Sequence, residues 1–229
     1  PFFDGVKVEN NGQGILVYAI SSPTIINSLI INSTYDGIHC GSDSNPLIVN
    51  NTISNNNTGL RCSWGCSPTI INTVIWGNAT GYSGAGENNP HFTHSLLNEF
   101  PSQGTDGGHN IYSDPLFTDS ANQDYSLQNN SPCIGSGLDS TVVPQTDIAG
   151  NLRPNPAGSN PDMGAYESAL SHNSLIYVSA SGNDNGSVGV DSAPFATIQA
   201  AIDYSLTGDT VIVQPGTYFE NLSIDGKKI

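Results

Sequence analysis

The chain has 229 residues, only 11% of them charged, and five Lys and Arg against twenty Asp and Glu give a formal charge of −15. Its length suits one or two domains with a real core, and its charge repels nucleic acid and anionic membranes while leaving cations, neutral glycans and basic surfaces as partners. No run reaches transmembrane length, so no membrane insertion is expected, and four Cys in a chain this size do not make a disulfide scaffold.

Residues 1–86 carry a repeat. SPTIINSLII, NPLIVNNTIS and SPTIINTVIW place a Pro at Pro23, Pro46 and Pro68, each followed four residues later by Asn27, Asn50 and Asn72. Gly14, Gly37 and Gly59 stand nine residues before each Pro, with Gly81 next in series, so the period is 22–23 residues. A fixed period in that range marks a solenoid, and short Val/Ile/Thr runs broken by Gly, Asn, Ser and Pro make each turn a coil of parallel strands. Alternation along the strand sends Ile15, Ile38 and Leu60 inward together with Val17, Cys40 and Cys62. Leu16, His39 and Arg61 then point outward, and Asn27, Asn50 and Asn72 are expected to form a structural Asn ladder at a corner.

Residues 87–168 lose the period and read as irregular final coils and a closing segment, with strand pieces at Asn110–Tyr112 and Tyr125–Leu127. Residues 169–175 read as a short linker. Within 176–229, Ile176–Ser179 is an expected strand and Phe195–Tyr204 (FATIQAAIDY) an amphipathic helix. Thr210–Val213 and Tyr218–Ile224 are expected strands around the turn Gln214–Thr217.

The segment IYVSASGNDNGSVGVDSAPFATIQAAIDYSLTGDTVIVQPGTYFENLSIDGKKI resembles the opening of right-handed parallel β-helix proteins of the pectate-lyase-like superfamily. DPLFTDSANQDYSLQNNSPCIGSG, TDIAGNLRP and PDMGAYE resemble the closing segment of secreted bacterial members, often followed by a surface-anchoring domain. SPTIINSLII and SPTIINTVIWGN fit the middle of the same family. The resemblance implies an all-β, single-stranded right-handed parallel β-helix with one short capping α-helix, and an extracellular or cell-surface location. The opening-type segment follows the closing-type one, and Pro1 carries neither an initiator Met nor a signal peptide ahead of it. The chain is therefore expected to be a slice of a tandem protein or a repeating protomer, self-associating head to tail through open coil ends.

Chemistry on such a fold has few carriers. His39 and Arg61 share an outward column one coil apart, about 5 Å at strand spacing, and form the candidate catalytic or glycan-facing pair of a polysaccharide lyase-like enzyme. Lys7, Arg153, Lys227 and Lys228 are the other strong bases, and Trp64 and Trp76 are aromatics able to stack on sugar rings, Trp64 the more exposed. Hydrolysis of glycosides needs clustered carboxylates, yet most acids sit in loops, among them Asp106, Asp114, Asp119, Asp124, Asp139, Asp147 and Asp162. Asp184, in the run Asn183–Gly186, and Asp191 are the most ligand-like positions for a structural Ca²⁺. Arg153 with Asp147, Asp162 and Glu167 is expected to lock the closing segment as an ion pair, and Cys40–Cys62 or Cys62–Cys66 can pair as disulfides.

Overall fold

A computed structural model describes residues 1–84, 87–99, 101–185, 187, 189–206, 208–224 and 229. Three parallel sheets run along a solenoid. The first stacks Phe2–Asp4, Thr24–Ile26, Leu47–Val49, Thr69–Ile71, His91–Thr93 and Thr105–Asp106. The second stacks Lys7–Glu9, Leu29–Ile31, Thr52–Ser54, Val74–Trp76 and Leu96–Leu97. The third stacks Ile15–Val17, Asp36–Cys40, Thr58–Cys62 and Thr80–Gly84. The in-register pairs Ile15 with Ile38, Ile38 with Leu60 and His39 with Arg61 are those the Gly spacing predicts.

Strand alternation fills the bore with one residue per coil from each of the first two sheets and two from the third. Ile25, Ile48, Ile70 and Phe92 come from the first sheet, and Ile30, Ile53, Ile75 and Leu97 from the second. The third adds Ile15, Ile38 and Leu60 together with Val17, Cys40 and Cys62, and Cys66 completes this buried cluster. The columns stay narrow because Gly59 has no side chain: a Cβ there would lie 2.6 Å from Ile75 Cγ2 and 2.7 Å from Gly81 O.

Two corners turn through left-handed backbone. Asn27, Asn50 and Asn72 have φ of 57°, 51° and 50°, and Asn10, Asn32 and Asn55 repeat the device at a second corner with φ of 57°, 58° and 54°. Asn tolerates this region because its short amide bonds locally. The expected Asn27–Asn50–Asn72 ladder holds at one rung only, Asn72 Nδ2 donating to Asn50 Oδ1 at 3.3 Å. Asn50 Nδ2 turns instead to the Asp162 carbonyl at 2.9 Å, and Asn72 Oδ1 accepts from Leu138 N at 2.7 Å. Asn27 Oδ1 is buried without a partner. Continuous polar stacks occupy other columns. Asn56 Nδ2 donates to the Ile30 and Ser54 carbonyls while its oxygen accepts from Ser33 N, and Asn78 repeats this one coil on.

Leu29 and Ile31 lie on the second sheet's outer face, yet both are buried. The closing segment runs back along that face. Tyr125 packs on Leu29 and Ile31, Cys133 and Met163 pack on Val74 and Leu96, and Ala165 N donates to Thr52 Oγ1 at 3.0 Å. Within residues 87–168, a last coil is followed by a segment that covers the second sheet from the side. Asn110–Tyr112 contributes only the bridge of Ile111 to Leu96, whereas Asp124–Leu127 is a strand, antiparallel to Phe117–Asp119.

The final unit pairs Leu175–Val178 in parallel with Thr210–Val213, and α1 (Ile198–Tyr204) packs against both strands. The helix begins three residues later than its apolar pattern suggests. Thr197 caps it, accepting from Ala200 N at 3.2 Å, and Phe195 is held as a bridge to Val178. The expected strand at Tyr218–Ile224 does not form: this stretch lies apart from any ladder, and Glu220 is drawn to α1, accepting from Ile198 N and Gln199 N at 2.9 Å. Lys227 and Lys228 lie outside the described residues. Among the described residues no helix is long and apolar enough to cross a membrane.

Candidate functional site

The outer face of the third sheet gathers the sequence candidates. Its column of Leu16, His39 and Arg61 points away from the bore, with Leu16 59% exposed. The next outward column differs in kind, because Gly41 separates Tyr18 from Ser63. A Cβ on Gly41 would meet Ser63 Oγ at 2.8 Å and Tyr18 Cζ at 3.0 Å, so the missing side chain leaves the room in which these two converge.

They converge on His39. Its Nε2 lies 3.1 Å from Tyr18 Oη and 3.0 Å from Ser63 Oγ, and its Nδ1 lies 3.4 Å from Asp36 Oδ2. Asp36 is almost fully buried at the inner edge of the network, where it accepts from Arg61 Nε at 2.8 Å and from Gln13 Nε2 at 3.1 Å. Arg61 also reaches Thr58 Oγ1, at 3.3 Å. His39 and Arg61 are therefore joined through Asp36 rather than directly. Burial holds His39 below its ordinary pKa; Asp36 opposes the shift and Arg61 adds to it. Neutral imidazole is the resting form at pH 7.

Trp64 completes the face. It sits on a tight turn with φ of 54°, is 69% exposed, and meets the edge of the Tyr18 ring at a centroid distance of 6.0 Å. Trp76 is instead half-buried against the cluster of Val74, Leu96, Cys133 and Met163. Sequence reading found His39, Arg61 and Trp64 but missed Asp36, Tyr18 and Ser63. A signal was present: Tyr18, Gly41 and Ser63 fall in one column of the repeat, large, absent and small.

Asp184 accepts from Ala196 N, Thr197 N and Thr197 Oγ1, so it braces the start of α1 instead of joining Asp191, whose partner is Gln214 Nε2 at 3.1 Å. Among the described residues no group of three or more His, Cys, Asp or Glu side chains is placed to hold a metal ion. Loop acids such as Asp106, Asp114, Asp119 and Asp124 accept from backbone N–H groups two or three residues on, which makes them turn residues. Arg153 does lock the closing segment, but through Glu167, with Nε 2.8 Å from Oε2 and both side chains fully buried. Asp162 receives Gly135 N and Ser168 N, and burial raises the pKa of both carboxyls.

All four cysteines are free, so neither expected bridge forms. Cys66 folds back to take hydrogen bonds from Cys40 and Cys62, which makes it the thiol of the three that loses its proton first. A separate cavity of about 660 Å³, between the closing segment and the final unit, is lined by His94, His109, His172 and Asp209. The rings of His94 and His109 stack there at 4.5 Å, and His172 Nε2 lies 2.8 Å from Asp209 Oδ2.

A family model described as right handed beta helix region matches residues 2–131. No curated protein and no solved structure matches the chain.

Proposed function

The chain belongs to the right-handed beta-helix family, and on that premise we propose that it is a structural and adhesive module of a secreted bacterial surface protein of the pectate-lyase-like kind, holding neutral polysaccharide on the outer face of its third sheet. One observation carries this reading. Tyr18 and the exposed Trp64 form an aromatic corner directly beside the hydroxyl- and imidazole-bearing network of Tyr18, His39 and Ser63. Sugar rings need that pairing of an apolar plane with convergent polar groups. An acidic glycan is the poorer fit, because Arg61 is committed to Asp36 and the whole chain carries −15. The same commitment weighs against lyase chemistry on uronates, which needs a cation free for the substrate carboxylate.

Affinity electrophoresis against neutral xylan, mannan and β-glucan tests the reading. Binding to at least one is expected, with Trp64→Ala weakening it about tenfold, or ~1.4 kcal/mol. Equal retardation of the parent and Trp64→Ala on every glycan refutes it.

Head-to-tail self-association is a second reading, supported by the sheet edges at Phe2–Asp4, Lys7–Glu9 and Ile15–Val17. Among the described residues each pairs with a single neighbour, and Phe2 is 65% exposed. Open parallel edges of this kind template further strands. Sedimentation velocity across a concentration series should show growing polymers that vanish on deletion of 176–229; a monomer throughout overturns it.

A further inference from the structure

We infer that Ser63, His39 and Asp36 form an acyl-ester hydrolase site whose substrate class is O-acylated neutral polysaccharide, an inference that rests on the glycan-binding reading of this face. The three groups stand in the order that activates a serine. Ser63 Oγ is 3.0 Å from His39 Nε2, and His39 Nδ1, buried without a hydrogen-bond partner among the described residues, lies 3.4 Å from Asp36 Oδ2; catalytic hydrogen bonds often tighten only when substrate arrives. Asp36 has little freedom, since Arg61 Nε donates to one of its oxygens and Gln13 Nε2 to the other. In the tautomer with the proton on Nδ1, beside Asp36, the Nε2 lone pair faces Ser63 and Tyr18. A purely structural outward column would not need a buried carboxylate behind an imidazole, nor a glycine that lets two hydroxyls reach the same nitrogen.

In the reaction, Ser63 Oγ adds to the ester carbonyl carbon while His39 Nε2 takes its proton. Tyr18 Oη, released from Nε2, donates to the oxyanion. Collapse breaks the bond to the sugar oxygen, which leaves as the alcohol with the proton from His39. Water then attacks the acyl-Ser63 carbonyl, passing its proton to Nε2, and Ser63 regains that proton as the carboxylic acid departs. Ester and water become alcohol and acid, with water the only co-reactant. Asp36 is a positioning residue: it holds the tautomer and supports the imidazolium. Trp64 and Tyr18 place the glycan.

The test uses the full chain with three probes: O-acetylated xylan for acetate release, p-nitrophenyl acetate for turnover, and a fluorophosphonate read by peptide mass mapping. The expected result is a single adduct on Ser63 and acetate release that falls at least a hundredfold in Ser63→Ala. Tyr18→Phe should cost about a hundredfold as an oxyanion donor. Asp36→Asn should move the pH–rate profile of fluorophosphonate labelling to lower pH, since His39 loses the carboxylate that supports its proton; a residue needed only for folding would not move that profile. Ser63 is on the surface side of the sheet, so Ser63→Ala keeps the fold even if the buried Asp36 variant does not. The two readings separate cleanly. Ser63→Ala should abolish the adduct, whereas Trp64→Ala should bind xylan about tenfold more weakly yet keep Ser63 labelling. Absence of a Ser63 adduct, or equal acetate release by parent and Ser63→Ala, overturns the site. Labelling of Ser63 without glycan binding keeps the esterase and removes the polysaccharide.

Discussion

Replacing Gly59 by Ala should damage the solenoid, while the same change at Gly81, one coil along the same column, should not. A Cβ at Gly59 would sit 2.6 Å from Ile75 Cγ2, 2.7 Å from Gly81 O and 2.9 Å from Asn78 Nδ2, where ordinary contact begins at 3.4 Å. Three neighbours must therefore recede by about 0.5–0.8 Å, and none does so freely. Ile75 is fully buried, Gly81 O belongs to the backbone of the next coil, and Asn78 Nδ2 is bonded to the Ile53 carbonyl at 2.9 Å. Overpacking costs about 1–3 kcal/mol and a lost internal hydrogen bond about 1 kcal/mol more, so Gly59→Ala should lose about 2–4 kcal/mol. At Gly81 the nearest atom to an added Cβ among the described residues is Asn98 Oδ1 at 3.9 Å, so the methyl meets only an ordinary van der Waals contact there. Its reduced unfolded-state entropy should then stabilise by about 0.4–1 kcal/mol. Urea unfolding followed by far-UV circular dichroism measures both. Coincident midpoints for the two variants would refute the stacking argument, since they share sequence context and differ only in what the next coil places beside them.

Glu167→Gln should destabilise by about 3–5 kcal/mol, because Arg153 is left buried without its counter-charge; limited proteolysis should then cut first within 116–168, and unchanged cleavage there would deny the pair its role. Acid should weaken the fold through His39 and His94, whose folded pKa values burial lowers from 6.5. Their neutral forms fit the folded state, so stability is full above that value and is lost as pH falls from it through the lowered folded pKa. His39→Gln should flatten the pH slope of the melting temperature below 6.5; an identical slope would show that Asp36 cancels the effect of burial, and a steeper one that Asp36 outweighs it. Iodoacetamide should modify none of Cys40, Cys62, Cys66 and Cys133 in the native chain and all four after unfolding, as free buried thiols require; mass spectrometry of a native disulfide would contradict this.

The solenoid was legible because its period leaves marks that backbone geometry forces. Gly14, Gly37 and Gly59 recur where coils touch, and Asn27, Asn50 and Asn72 recur where the chain turns left-handed. The second corner escaped because its residues change identity, Asn10, Asn32 and Asn55 giving way to Gly77 with φ of 70°. Geometry is conserved there from coil to coil although the letter is not. The polar stack of Asn56 and Asn78 escaped for a similar reason, since Ser33 opens it. The lateral path of residues 116–168 had a sequence signal that period counting overlooks. Leu29–Ile31 and Val74–Ile75 are apolar at successive positions, the mark of a parallel strand buried on both faces.

The candidate site was half legible for a reason intrinsic to repeats. Register alone puts His39 over Arg61 and leaves them a bland outward pair, because equal columns give every coil the same surroundings. Chemistry needs unlike groups to converge, and in a stack of equal coils that happens where a column is interrupted. Gly41 interrupts one: its missing Cβ brings Tyr18 from the coil before and Ser63 from the coil after onto a single imidazole nitrogen. Asp36 supplies the second asymmetry, as a buried carboxylate where the following coil carries Thr58. Gly41→Ala follows as the sharpest perturbation of the face. The added methyl would push Tyr18 and Ser63 apart without touching the bore, so labelling of Ser63 should fall while the urea midpoint shifts far less than in Gly59→Ala. Parallel loss of both would mean that the gap serves packing alone.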